Sequence, residues 1–95
     1  MTPAPQAGVE AALLALPTGV FRGQTGNRRY VVSKTLFNAG KSIKLVAEEL
    51  GGNDYISLNF YRLNRGARLY PCEMSAQKVS DFILNLRPQT DQDDA

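Results

Sequence analysis

The chain has no histidine and a single cysteine, Cys72, in 95 residues. Without histidine, a zinc site would have to be built from carboxylates, a donor set zinc rarely accepts. Nucleophilic catalysis assisted by histidine is excluded as well, within one chain and across a homodimer. One cysteine forms no internal disulfide, which fits a reducing cytoplasm. No stretch approaches the ~18 apolar residues of a membrane span. The opening Met1-Thr-Pro-Ala-Pro-Gln6 lacks a basic n-region and an apolar h-region, so no secretory signal is expected. The expectation is a cytoplasmic protein with no metal, no cofactor and no membrane partner.

What is present suffices for one small domain. Apolar residues make up 43% of the chain, enough for a single core. A monomer of this size buries a modest share of its surface, so a homodimer is expected. The net charge is only +2, but it is unevenly spread. Between Val20 and Cys72, nine basic residues face three acidic ones, a net +6. From Glu73 onward, five acids face two bases, a net −3. A basic body with an acidic end points to a polyanionic partner or to a mixed, solubilising surface.

The most informative stretch is Asp54 to Leu63. Its period-2 alternation puts Ile56, Leu58 and Phe60 on one side and Tyr55, Ser57, Asn59 and Tyr61 on the other. That is a half-buried strand whose open side carries two phenols, an amide and a hydroxyl. Three further strands are expected: Arg29–Phe37, Ser42–Leu50 and Ala67–Cys72. In the second of these, Ile43, Leu45 and Ala47 oppose Lys44, Val46 and Glu48. Turns fall at Asn38–Lys41, Gly51–Asn53 and Asn64–Gly66, and Pro71 marks an edge or a strand end. Val20–Arg22 suits a short strand, and Gly23–Asn27 reads as loop by composition.

Ser75 is a helix N-cap, and Val79, Phe82, Ile83 and Leu86 form one apolar helical stripe. Leu84 lies off that stripe and suits a contact with another subunit. Val9–Leu16 favours helix, but eight residues form one only when packed on something. The expected fold is α+β: a four-stranded antiparallel meander covered on one face by a single C-terminal helix, with a short N-terminal helix if it packs. The organisation is then a tail and short helix over 1–19, a domain over 20–87, and a disordered acidic tail over 88–95.

The strand-to-helix join Leu69-Tyr-Pro-Cys-Glu-Met-Ser-Ala-Gln-Lys-Val-Ser-Asp-Phe82 resembles the single-stranded-DNA-binding transcriptional coactivator family and its Whirly relatives. Met74, Ser75 and Val79 stand where that family has its last apolar strand residue, its cap and its first large apolar helical residue. Tyr30-Val-Val-Ser33 is similar to the family's opening strand. Arg68-Leu-Tyr-Pro71 stands where a lysine–glycine pair is common, and Val9–Leu16 has no counterpart. The resemblance covers about Arg28 to Leu86. It implies a dimer packed through helices, with a sheet face that receives single-stranded nucleic acid.

On that reading Tyr55 and Tyr61 stack bases, and Asn59 bonds a base edge. Lys34 and Lys44, flanking a hairpin, share a face and meet phosphates. Arg29, Arg62 and Arg68 line the rim. The competing readings are cross-strand packing for the tyrosines and plain solvation for the rest. Cys72 beside Glu73 reads as a small, part-buried hydrophobe, because a neighbouring carboxylate makes a thiol less nucleophilic. Glu48 and Glu49 point to opposite faces and form no acid/base dyad. Gly51-Gly52 lacks the context of a phosphate loop. The expected function is a small, non-enzymatic single-stranded DNA or RNA binding module with a regulatory role. The first alternative is a protein-interaction domain of the same fold. A thiol enzyme using Cys72 is the remote one.

Overall fold

The computed structural model describes residues 8–63, 66–72 and 74–89, with only the backbone of Leu63. Helix α1 spans Val9–Ala15. Strands β1 (Gly19–Thr25), β2 (Arg28–Phe37), β3 (Ser42–Glu49), β4 (Tyr55–Leu63) and β5 (Gly66–Pro71) follow in turn. Helix α2 (Ala76–Asn85) and a two-residue strand β6 (Arg87–Pro88) close the described chain. The sheet order is β5-β4-β3-β2-β1-β6, and every pairing is antiparallel. No helix among the described residues is long and apolar enough to cross a membrane.

The α+β class and the meander are as the sequence suggests, but the sheet has six strands rather than four, and two α-helices pack on it. Gly23–Thr25 is strand, not loop. Only Gly26 and Asn27 turn the chain between β1 and β2, with Gly26 at φ 56° as the first loop residue. Such two-residue hairpins want positive φ there, which glycine takes without steric cost. The sixth strand follows α2 directly. Gly23 and Gln24 pair with Pro88 and Arg87, and the Gln89 amide donates to Arg22 O at 2.8 Å. Gly23 permits this because a Cβ there would lie 2.6 Å from Leu86 Cδ1. Strand structure therefore enters the expected tail at Pro88; residues 90–95 lie outside the described residues, as do 1–7 and residues 64–65 of the expected turn.

The core occupies one side of the sheet. Tyr30, Val32, Ile43, Leu45, Ala47, Ile56, Leu58, Phe60 and Leu69 point into it from four strands. Val79, Phe82 and Ile83 of α2 and its C-cap Leu86, with Val9, Leu13 and Leu16 of the α1 segment, close it from above. Ser75 Oγ accepts from the Lys78 amide at 3.1 Å, satisfying one free donor of the first turn. Phe82 packs edge-on against Tyr30, with ring centroids 4.9 Å apart.

The sheet edges are guarded. The Cys72 amide donates to Ser57 O at 3.0 Å. Antiparallel alternation then turns the backbone of Arg68 and Tyr70 toward β4 and that of Ala67, Leu69 and Pro71 outward. Pro71 has no amide hydrogen to offer there, which blunts the β5 edge. At the opposite edge, β6 covers part of β1.

Candidate nucleic-acid interface

Strand alternation decides which side chains reach the uncovered side of the sheet. On β4 they are Tyr55, Ser57, Asn59 and Tyr61, opposite the buried Ile56, Leu58 and Phe60. Registers extend this into rows across the strands. One row runs Tyr70, Asn59, Lys44, Thr35; the next runs Arg68, Tyr61, Ser42, Phe37. Toward the other end lie Ser57, Val46, Ser33 and Val20, then Tyr55, Glu48, Val31 and Arg22. Arg29 is on this side as well, paired with Gln24. Both helices pack on the opposite side, so among the described residues no element covers this face.

Five cations, Arg22, Arg29, Lys44, Arg68 and Arg87, stand here against one carboxylate, Glu48; Arg87 joins through its register with Gln24. Three aromatic side chains are well exposed: Phe37 at 47%, Tyr55 at 42% and Tyr70 at 41%. Tyr61 is half-buried because its ring meets that of Tyr70 edge-to-face, centroids 5.3 Å apart and planes at 73°. The two are diagonal neighbours on adjacent strands, where aromatic pairs form readily. Asn59 Nδ2 approaches Cys72 Sγ at 3.9 Å, so the thiol sits at the margin of the same face.

Six of the eight residues singled out in the sequence lie together here: Arg29, Lys44, Tyr55, Asn59, Tyr61 and Arg68. Two do not. Lys34 has the same parity as Tyr30 and Val32, so it points into the core and is only 3% exposed. Its register partner is Leu45, whereas Lys44 pairs with Thr35, so the two lysines occupy opposite faces. Its ammonium donates to Leu13 O at 2.8 Å, Leu14 O at 3.2 Å and Leu16 O at 2.7 Å. These carbonyls lie at the end of α1, where helical donors run out; only Leu13 O also accepts from the Leu16 cap amide, at 3.3 Å. Burial pushes the Lys34 ammonium below the ordinary lysine pKa. Arg62 also faces the helical side, where Nε lies 3.2 Å from Glu10 Oε2 on α1. Conversely, Phe37 and Tyr70 belong to the open face by alternation from Thr35 and Leu69, and Arg22 and Arg87 by register with Val31 and Gln24.

A second polar cluster lies beneath α2. Asp54 accepts from Lys78 Nζ and from Tyr30 Oη, each at 2.8 Å, and Arg28 Nη1 stands 3.6 Å away. Lys78 above all, then Tyr30 and Arg28, holds the Asp54 carboxyl below its usual range. Burial and the bond to Asp54 raise the Tyr30 phenol. Both shifts move away from neutrality, the reverse of what proton transfer near pH 7 needs. The cluster is a clasp between sheet and helix.

The fold and the face define a class: an α+β protein with a sheet sealed on one side and bare, cationic and aromatic on the other. Comparisons of this chain with protein-family models, with curated proteins and with solved structures found no match.

Proposed function

We propose that the chain is a small, non-enzymatic regulatory module that binds single-stranded DNA or RNA on the uncovered face of its sheet. The observation that carries this reading is one surface holding five cations against one carboxylate, with exposed aromatic rings between them. Unpaired bases stack on such rings for ~1–3 kcal/mol each, and phosphates meet the cations. Lys44, Arg68 and Arg29 serve the phosphates, the aromatic rings of the face the bases, and Asn59 a base edge. This is the mode that the likeness to the coactivator and Whirly proteins implies.

Fluorescence anisotropy with a labelled oligonucleotide tests it. Affinity should fall steeply as salt rises, and Lys44→Ala should weaken binding at an unchanged melting temperature. Absent or salt-insensitive binding would move the assignment to a protein-interaction domain. The aliphatic end of the face, where Val20 is 75% exposed, would then carry the partner.

The same reading includes a homodimer. Leu14 on α1 and Leu84 on α2 remain exposed on the helical side. Sedimentation should give twice the 10.4 kDa chain mass, and Leu84→Glu should return the monomer. A monomeric parent protein would remove the dimer from the proposal.

A further inference from the structure

The open face is not uniform, and its asymmetry sets the size and path of the ligand. We infer that its occupant is a run of about three unpaired nucleotides, crossing the strands over the end nearest the β2–β3 hairpin, with Phe37 and Tyr70 as its two stacking stations. This rests on the nucleic-acid reading above and narrows it.

The two rows at that end hold Tyr70, Asn59, Lys44 and Thr35, then Arg68, Tyr61, Ser42 and Phe37. They carry three aromatic rings, two cations and no carboxylate. The two rows beyond them hold a single ring, Tyr55, and a single cation, Arg22, among the aliphatic Val46, Val31 and Val20, together with Glu48, which repels a phosphate. The change occurs between Lys44 and Val46, one side-chain step along β3.

Phe37 and Tyr70 lie at opposite ends of the favourable half, on β2 and β5. Three strand spacings of ~4.8 Å and one two-residue offset of ~6.8 Å along the strands separate them, about 16 Å in all. An unstacked strand, whose step is roughly twice the 3.4 Å of a stacked duplex strand, covers that in about two steps. The terminal bases of such a trimer reach the two rings. The phosphates between them pass over Lys44, while Arg68 stands beside Tyr61. Tyr61 buttresses Tyr70 from the side and fixes its plane. The hairpin holds Phe37 at the rim, because the Asn38 amide bonds Ser42 Oγ at 3.1 Å directly after it.

The experiment is a length series of oligothymidylates, from dimer to decamer, titrated by calorimetry and anisotropy at several salt concentrations. Affinity should rise sharply from dimer to trimer or tetramer, then only as the number of binding registers grows. The slope of log K against log salt should be about −1.4, that of two phosphates on a single strand. Phe37→Ala and Tyr70→Ala should each weaken trimer binding at least about fivefold, the lower bound of one lost stack, while Val20→Thr should match the parent. Thermal melts of each variant establish equal folding. A steady gain in affinity beyond six nucleotides would overturn the inference while leaving nucleic-acid binding intact. Equal damage to trimer binding from Tyr55→Ala would do the same. Absence of binding at any length would overturn both.

Discussion

Ala39 adopts φ 57° and ψ 35° at the tip of the β2–β3 hairpin, flanked by Asn38 at φ 53° and Gly40 at φ 88°. Asparagine and glycine enter the left-handed region readily, but alanine pays ~1–2 kcal/mol there. Ala39→Gly should therefore stabilise the protein by about 0.5–1 kcal/mol, after the greater freedom of glycine in the unfolded chain is offset. Urea denaturation at equal m-value measures this, and a loss of stability would contradict it. Neighbours on β4 should behave oppositely. Phe60 is fully buried, so Phe60→Ala should cost ~3–5 kcal/mol. Tyr61→Ala should cost only the edge-to-face pair with Tyr70, ~0.5–1.5 kcal/mol. Reversal of that order in denaturation would mean that the two faces are exchanged. The alternation of β4 made this contrast legible without coordinates, whereas the backbone of Ala39 leaves no trace in composition.

At the scale of elements, α1 is the part whose existence depends most on its surroundings. Seven residues make too few hydrogen bonds to hold a helix in water. Two apolar side chains, Val9 and Leu13, and one buried ammonium hold it in place. Lys34→Met keeps most of the volume but strips donors from three carbonyls at the helix end. The expected loss is on the order of 1–3 kcal/mol. In hydrogen exchange the α1 amides should lose protection first, with β3 and β4 unchanged; uniform loss across the sheet would refute a local anchor. Sequence could not assign this role to Lys34, since its acceptors lie 18 to 21 residues away in the chain. Nor could two residues of β6 show any periodicity. By contrast, the α2 stripe and the Ser75 cap were readable because their partners lie within one or two turns.

Across the whole molecule, Asp54 joins the β3–β4 loop to α2 through Lys78, and to β2 through Tyr30 and Arg28. Its carboxyl is held below the ordinary ~3.9. A depressed carboxylate contributes stability that is fully present above the unfolded value and is lost as pH falls through the folded one. The parent protein should therefore lose stability below about pH 4. Asp54→Asn should be less stable at pH 7 and lack that part of the acid dependence, so that the two curves converge in acid. Thermal melts from pH 2 to 7 provide the check, and parallel curves would rule the clasp out as the source.

Sequence alone determined the α+β class, the meander, the stripe of α2 and the membership of most of the bare face. Each follows from periodicity, and periodicity is local. Tertiary structure decided that β1 runs to Thr25, that the chain after α2 returns as a sixth strand, and that Lys34 and Arg62 serve α1. Those outcomes depend on which carbonyls, carboxylates and strand edges meet across the fold, and a linear pattern does not carry that pairing.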